Sequence, residues 1–345
     1  MAIINVAVLG GTNYTVWHVY SDMLENVANQ DWSKLNPVQE IKRASLGDAT
    51  DIFEWISRYF SVEDALGSTL VIAGQTDADG RMILSPNGPA LRGTNPVEEI
   101  SQRTNNILTI QKNDAEAFVT GQFELLGQPP YFAGGTMGTG VGFKVCKDGQ
   151  IVAAGAEIGH QTFANPMTTV KNILQIFSKL GVRLSTSHEI EQLAQFVNPC
   201  GCGKLTPCYE SVLGGDRLRE LIATVHFAVT GSSFEDGLDA NKAFDAAYKA
   251  CELWALVIAD MLSIDVAQFL GDLYCHHAIP LVCIKGSVGL AVLDKLGQRI
   301  RQYLPNFLPA RETADTIQIV PSPEPVKDEP IGGAMLLLKE LQATA

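Results

Sequence analysis

Positive charge is scarce in this chain: 25 lysines and arginines face 38 aspartates and glutamates over 345 residues, leaving a formal net charge of −13. Non-specific binding to nucleic acid or to an anionic membrane needs clustered cations that neutralise phosphates, and the sequence has no such cluster. Long uninterrupted apolar runs are also missing, since the greasiest stretch, Leu253 to Leu270, is broken by Asp260 and Asp265. The opening residues, Met1 to Gly10, lack the basic segment and long apolar run of a secretory signal, so a cytoplasmic location is expected, with neither membrane nor nucleic acid as partner. Seven cysteines in a chain of this length do not make the disulfide framework of a small secreted domain. With 46% hydrophobic residues the composition is that of a globular protein, and the length suits two domains with a core in each.

Strand and helix patterns alternate from the start. Ile3 to Leu9 is a β-branched apolar strand, Gly10-Gly11-Thr12-Asn13 a turn, and Tyr14 to Tyr20 an alternating second strand. Helical periodicity covers Asp51 to Phe60, Val97 to Arg103 and Ala115 to Leu126, with strands at Ser68 to Gly74 and Ile107 to Gln111. A second glycine turn, Gly134 to Gly142, leads into paired strands at Phe143 to Cys146 and Gln150 to Ala154. Two copies of strand, glycine turn, strand, about 125 residues apart, suggest a duplicated unit whose turns each offer backbone N–H groups to a phosphate. Amphipathic patterns then predict helices over Thr168 to Leu180, Leu218 to Thr230 and Asn241 to Ser263. A strand at Ile279 to Lys285 runs into Gly286-Ser287-Val288-Gly289, Pro321 to Pro330 reads as a connector without a core, and Ile331 to Leu341 as a last helix.

Three groups of residues suit chemistry. Cys200, Cys202 and Cys208 fall within nine residues, and with His160 or His188 they would complete a closed tetrahedral zinc shell, which is structural rather than hydrolytic; zinc is favoured here over the alternative of three buried free thiols. Glu157 and His160 stand three apart between glycines, a pairing that by itself favours ordinary packing over a site. Asn113-Asp114 ends a strand and precedes a helix, so the pair suits a helix cap, while an aspartate at a strand end beside phosphate loops suits a proton acceptor. Chain reversals need glycine with or without a nucleotide, and neither glycine turn is distinctive alone.

Taken together and in order, these pieces resemble the ROK family of repressors, open reading frames and sugar kinases, which includes bacterial glucokinases. The resemblance spans nearly the whole chain and rests on Leu9 to Asn13, Asn113-Asp114, Gly138-Thr139-Gly140-Val141-Gly142, Gly155 to His160, the segment Cys200 to Glu210, Gly286 to Gly289 and Glu329 to Gly333. It implies an α/β fold of two actin-like, ribonuclease-H-like domains with an interdomain cleft: 1–114 plus 331–345, and 115–330 with the zinc-binding loop and an insertion at 161–199. It also implies an ATP-dependent hexose kinase acting with magnesium, a structural zinc ion and a homodimeric or homotetrameric assembly, glucose being the expected sugar. By that resemblance Asp114 is the general base. Gly74, Asn87, Asn113, Glu157, His160 and Glu210 approach the sugar, Gly10, Gly11, Thr12, Gly138, Thr139, Gly140 and Gly286 hold ATP, and His160, Cys200, Cys202 and Cys208 ligate zinc.

The sequence departs from the family pattern at three places. The family's first turn reads Asp-x-Gly-Gly-Thr-Lys, whereas Val8 and Asn13 stand here at the Asp and Lys positions, so a carboxylate and a cation that serve the magnesium-phosphate group are missing. About forty residues separate His160 from Cys200, a longer gap than in most relatives, which is why His188 rivals His160 as a ligand. The cysteine loop also holds one residue more between Cys202 and Cys208 than the family pattern. The first departure keeps a second reading open, a non-catalytic sugar-binding sensor or regulatory protein. A DNA-binding repressor is disfavoured, because the first strand begins at residue 3, with no helix-turn-helix ahead of it.

Overall fold

The computed structural model describes residues 2–60, 62, 64–85, 88–105, 107–152, 158–161, 178, 181, 208–234 and 239–344. The helix expected over Thr168 to Leu180 and nearly all of the 161–199 insertion lie outside these residues. The chain forms two compact units, Met1–Gly135 with Lys144–Ala156 and Ser322–Ala345, and Thr136–Phe143 with Glu157–Pro321.

In the first unit, β1 (Ile3–Leu9), β2 (Asn13–Tyr20), β3 (Pro37–Lys42), β4 (Ala65–Ile72) and β7 (Thr109–Asn113) form one sheet in the order β3-β2-β1-β4-β7; β5 (Gln75–Thr76) and β6 (Met82–Leu84) pair separately. β1 runs antiparallel to β2 and parallel to β4, which is parallel to β7. Helix α1 (Ala49–Phe60) covers one face, where Ala7 and Leu9 meet Ile52, Phe53, Ile56 and Phe60. Two more helices, α3 (Asp114–Leu125) and the carboxy-terminal α9 (Asp328–Thr344), cover the other, where Ile4, Val6 and Val8 meet Ala117, Leu125, Ile331, Ala334 and Leu337. Burial on both faces explains why β1 reads as a continuous apolar run instead of an alternating one. The short α2 (Pro96–Arg103) is capped by Asn95, whose side chain accepts from the Glu98 amide.

The second sheet comprises β8 (Tyr131–Met137), β9 (Val141–Lys147), β10 (Gln150–Val152), β11 (Leu281–Lys285) and β12 (Gln318–Pro321), in the order β10-β9-β8-β11-β12. Third, second, first, fourth, fifth is the order of the first sheet as well. This repeat is the duplicated unit that the paired glycine turns suggested, in the ribonuclease-H-like, actin-like arrangement that the family resemblance implies. The helices of the second unit are α4 (Glu210–Leu213), α5 (Gly215–Thr230), α6 (Ala240–Lys249), α7 (Leu253–His277) and α8 (Ser287–Tyr303). Among the described residues α7 alone is long and apolar enough to cross a bilayer, and 72% of its most apolar stretch is buried within the protein, as in a core helix.

Several local expectations are corrected. The helix expected over Asn241 to Ser263 is two helices, because Cys251 takes a left-handed conformation (φ 56°) that ends α6 before α7 begins. Gly134 and Gly135 lie within β8 and not in a turn; a Cβ at Gly134 would stand 2.6 Å from Val119 and overlap Gln122, so the helix packed there requires glycine. The connector is shorter than Pro321 to Pro330, since Asp328 already opens α9 and is fully buried, and Pro330 sits in the first turn, where a missing N–H is harmless. α3 packs along α9 through Gly121 and Gly332, both within the first unit.

Candidate functional site

In the first unit, the end of β7 presents Asn113 and Asp114 at the start of α3. The Asn113 carboxamide caps the helix, its oxygen accepting from the Ala115 amide at 2.9 Å while its nitrogen donates to the Gly74 carbonyl at 3.2 Å. The Asp114 carboxylate also accepts from the Ala115 amide, at 2.8 Å. Both expected readings of this pair therefore coexist: it caps a helix, and it sets a carboxylate at a strand end and a helix N-terminus, where negative charge is favoured. Gly74 (φ 141°) is a position only glycine takes, since a Cβ there would run into the Leu84 carbonyl. Thus Gly74 and Asn113 are joined by the Asn113 carboxamide, and Asn113 and Asp114 share the Ala115 amide; Asn87 lies outside the described residues.

The first glycine turn, Gly10, Gly11 and Thr12, joins β1 to β2 and is held from behind by Arg43, whose amide donates to the Thr12 carbonyl at 2.9 Å. Val8, at the position where a carboxylate was expected, is 7% exposed and packs in the apolar cluster beneath α3 and α9. Asn13, at the cation position, donates to the Glu40 carboxylate on β3.

In the second unit the turn between β8 and β9 is closed by the Gly138 amide donating to the Gly140 carbonyl at 2.9 Å. The Gly138 carbonyl accepts from the Gly215 amide at 2.6 Å, which brings the N-terminus of α5 to the turn. Gly286 (φ 87°) precedes α8 and lies so close to β8 that a Cβ would meet Thr136 Oγ1 at 2.8 Å and overlap the Met137 carbonyl. A Cβ on Gly214 would stand 3.0 Å from the Thr139 carbonyl. Gly138, Thr139, Gly140 and Gly286 are therefore brought together, with two helix N-termini whose amides and dipoles suit an anion such as a phosphate.

Glu210, the first residue of α4, adjoins the same turn. Its Oε2 accepts from the Val141 amide at 3.1 Å, and a Cβ at Gly140 would stand 2.6 Å from that oxygen. Two residues earlier Cys208 lies 3.6 Å, sulfur to Nδ1, from His160. Ligands at about 2.3 Å (sulfur) and 2.0–2.1 Å (nitrogen) from one tetrahedral zinc stand about 3.6 Å apart, so this pair fits a shared ion. Cys200, Cys202, Glu157 and the rival ligand His188 lie outside the described residues. Among the described residues no group of three or more His, Cys, Asp or Glu is arranged to hold a metal.

Sequence reasoning missed what anchors this segment. Tyr209 is fully buried, edge-on to Phe269 at 4.7 Å between ring centroids, and its hydroxyl donates to the Asp272 carboxylate. Burial above all, then the bond to Asp272, pushes the Tyr209 hydroxyl well above the usual tyrosine range. Asp265, two turns earlier along α7, is buried as well, and burial raises its carboxyl to about 7. The signal was available: Asp265 and Asp272 are seven residues apart, two turns along one face of a helix that is mostly apolar.

The glucokinase of Streptomyces griseus, solved with glucose and AMPPNP, superposes with a TM-score of 0.67 at 18% identity, covering 97% of this chain and 99% of its own. The ROK hexokinase of Thermus thermophilus gives a TM-score of 0.68 at 17% identity, with 98% and 99% covered. A ROK family transcriptional regulator, a homolog of the Escherichia coli MLC protein, gives 0.62 at 13% identity, with 99% of this chain and 81% of that one covered. At these identities the likeness is one of fold. A search of curated proteins finds no match in sequence. The sequence model of the ROK family, by contrast, matches residues 6–340, almost the whole chain and both units, with the two glycine turns and the Asn113-Asp114 pair inside it, and the chain belongs to the ROK family.

Proposed function

We propose that the chain is an ATP-dependent hexose kinase, with glucose as its sugar and Asp114 as general base. As the sugar hydroxyl attacks, its proton passes to the Asp114 carboxylate, a bond forms between the sugar oxygen and the γ-phosphorus, and the bond from that phosphorus to the bridging oxygen breaks to release ADP. Gly74, Asn87, Asn113, Glu157, His160 and Glu210 hold the sugar. Gly10, Gly11, Thr12, Gly138, Thr139, Gly140 and Gly286 hold the nucleotide. The observation that supports this reading is the Asp114 carboxylate at the end of β7 and the N-terminus of α3, next to Asn113, whose carboxamide donates to the Gly74 carbonyl. A structural zinc on His160, Cys200, Cys202 and Cys208 would brace the segment that carries Glu210, and the His160–Cys208 spacing of 3.6 Å supports it. The magnesium expected with ATP finds no carboxylate at Val8, so no step is assigned to it. The reading carries with it a cytoplasmic enzyme, dimeric or tetrameric.

The test is ADP release in a coupled assay against a panel of hexoses and N-acetylhexosamines, with magnesium and zinc-replete protein. Asp114→Asn is expected to keep sugar binding while turnover falls by about 10²- to 10⁴-fold. Unchanged turnover in that variant would end the assignment of the base. The buried Val8 supports a second reading, a sugar sensor of the same fold, whose mark is sugar binding by calorimetry with no turnover on any sugar.

A further inference from the structure

We infer that Glu210 is a positioning residue for the phosphate-side glycine turn, so that sugar and nucleotide binding are linked through this one side chain. The inference rests on the kinase reading for the identity of the two ligands, and on geometry within the second unit for the link itself.

Val141, the residue after the turn, is 3% exposed, and its amide gives its hydrogen to Glu210 Oε2 at 3.1 Å. The same short segment supplies a second tether, the Gly215 amide donating to the Gly138 carbonyl at 2.6 Å. The turn is thus gripped on both sides by 210–215. A Cβ on Gly140 would stand 2.6 Å from Oε2, so a side chain there would push the carboxylate away from the turn.

The grip is useful only if Glu210 is itself fixed, and the structure fixes it three ways. Tyr209 is sealed in the core and bonded to Asp272 on α7. The Ser211 hydroxyl donates to the Cys208 carbonyl at 2.6 Å, and the Leu213 and Gly214 amides close α4 on Tyr209 and Glu210 at 2.8 and 3.0 Å. Cys208 adjoins His160. A carboxylate has two oxygens and about four acceptor sites, so holding Val141 is compatible with accepting a sugar hydroxyl too. A sugar that engages Glu210 then stiffens the turn that receives phosphate, and by linkage a bound nucleotide raises sugar affinity by the same factor.

The experiment compares wild type, Glu210→Gln and Glu210→Ala by amide hydrogen exchange at Val141 and by calorimetric binding of AMPPNP with and without glucose. In wild type the Val141 amide exchanges slowly, and glucose tightens AMPPNP binding. In Glu210→Ala the exchange is expected to speed up by about tenfold or more, AMPPNP binding without sugar to weaken by about tenfold, and the effect of glucose on it to vanish. Glu210→Gln, whose amide oxygen still accepts from Val141, restores slow exchange and most of the AMPPNP affinity. A side chain that served sugar alone would leave both sugar-free readouts unchanged in Glu210→Ala, and that result overturns the inference. Should Glu210→Ala fail to fold, fast exchange at Val141 in wild type or in Glu210→Gln overturns it equally. Absence of AMPPNP binding to wild type would sink the kinase reading instead, and the exchange data would still decide whether Glu210 holds the turn.

Discussion

Val8 and Asn13 stand where the family resemblance led an aspartate and a lysine to be expected, and each suits its own surroundings. Val8 is packed among Ala117, Leu125 and Ile331, and Asn13 is engaged by Glu40. A carboxylate at Val8 would lose much of its hydration, so Val8→Asp is expected to lower stability by about 1–3 kcal/mol, read as a fall in the urea midpoint. Combined with Asn13→Lys it is expected to tighten magnesium-dependent ATP binding, measured by calorimetry. If the native protein binds sugar without turnover and the double variant turns over, the sensor reading replaces the kinase. Asn113 and Asp114 were legible because their residue types at a strand end narrow the choices; the neighbour that meets Asn113, the Gly74 carbonyl, was not, since 39 residues of chain separate the two.

Helices α3 and α9 cross with backbones nearly touching: a Cβ on Gly332 would overlap the Ala117 carbonyl, and one on Gly121 the Asp328 carbonyl. At the same crossing the buried Asp328 accepts from the Ser322 hydroxyl at 3.0 Å and from the Gln122 carboxamide at 3.3 Å, and it caps α9 by accepting from the Glu329 amide at 2.9 Å. Gly332→Ala is therefore expected to destabilise by about 2–3 kcal/mol although alanine is the better helix former, with a urea midpoint above wild type as the contrary result. Periodicity located both helices to within a few residues. It gave no hint that Gly332 marks their contact, because helix patterns report which face is apolar, not which neighbour covers it. Strand β3 escaped notice for a related reason: Pro37–Lys42 lies at the sheet edge with no fully buried residue, so apolar content was too thin to mark it.

At the scale of the whole molecule, the buried Asp265 ties stability to pH. Its carboxyl ionises near 3.8 unfolded and at about 7 folded, the shift being due to burial. Between roughly pH 4 and 7 the folded state thus holds a proton that the unfolded state has released, so this group's contribution falls as pH rises and levels off above pH 7. Asp265→Asn is expected to remove that fall, gaining about 4 kcal/mol relative to wild type between pH 4 and pH 8 by urea unfolding. Equal pH profiles for the two proteins would show that Asp265 ionises normally. What the sequence determined alone was the family, the duplicated strand, turn, strand units and the residue types of the site, because these depend on local pattern and on an ordered set of short motifs. Only the tertiary structure decided that Glu210 grips Val141, that Tyr209 hangs on Asp272 and that Val8 is walled in by two helices. Those contacts join residues dozens to hundreds apart, and their strength comes from burial, which no local spacing encodes.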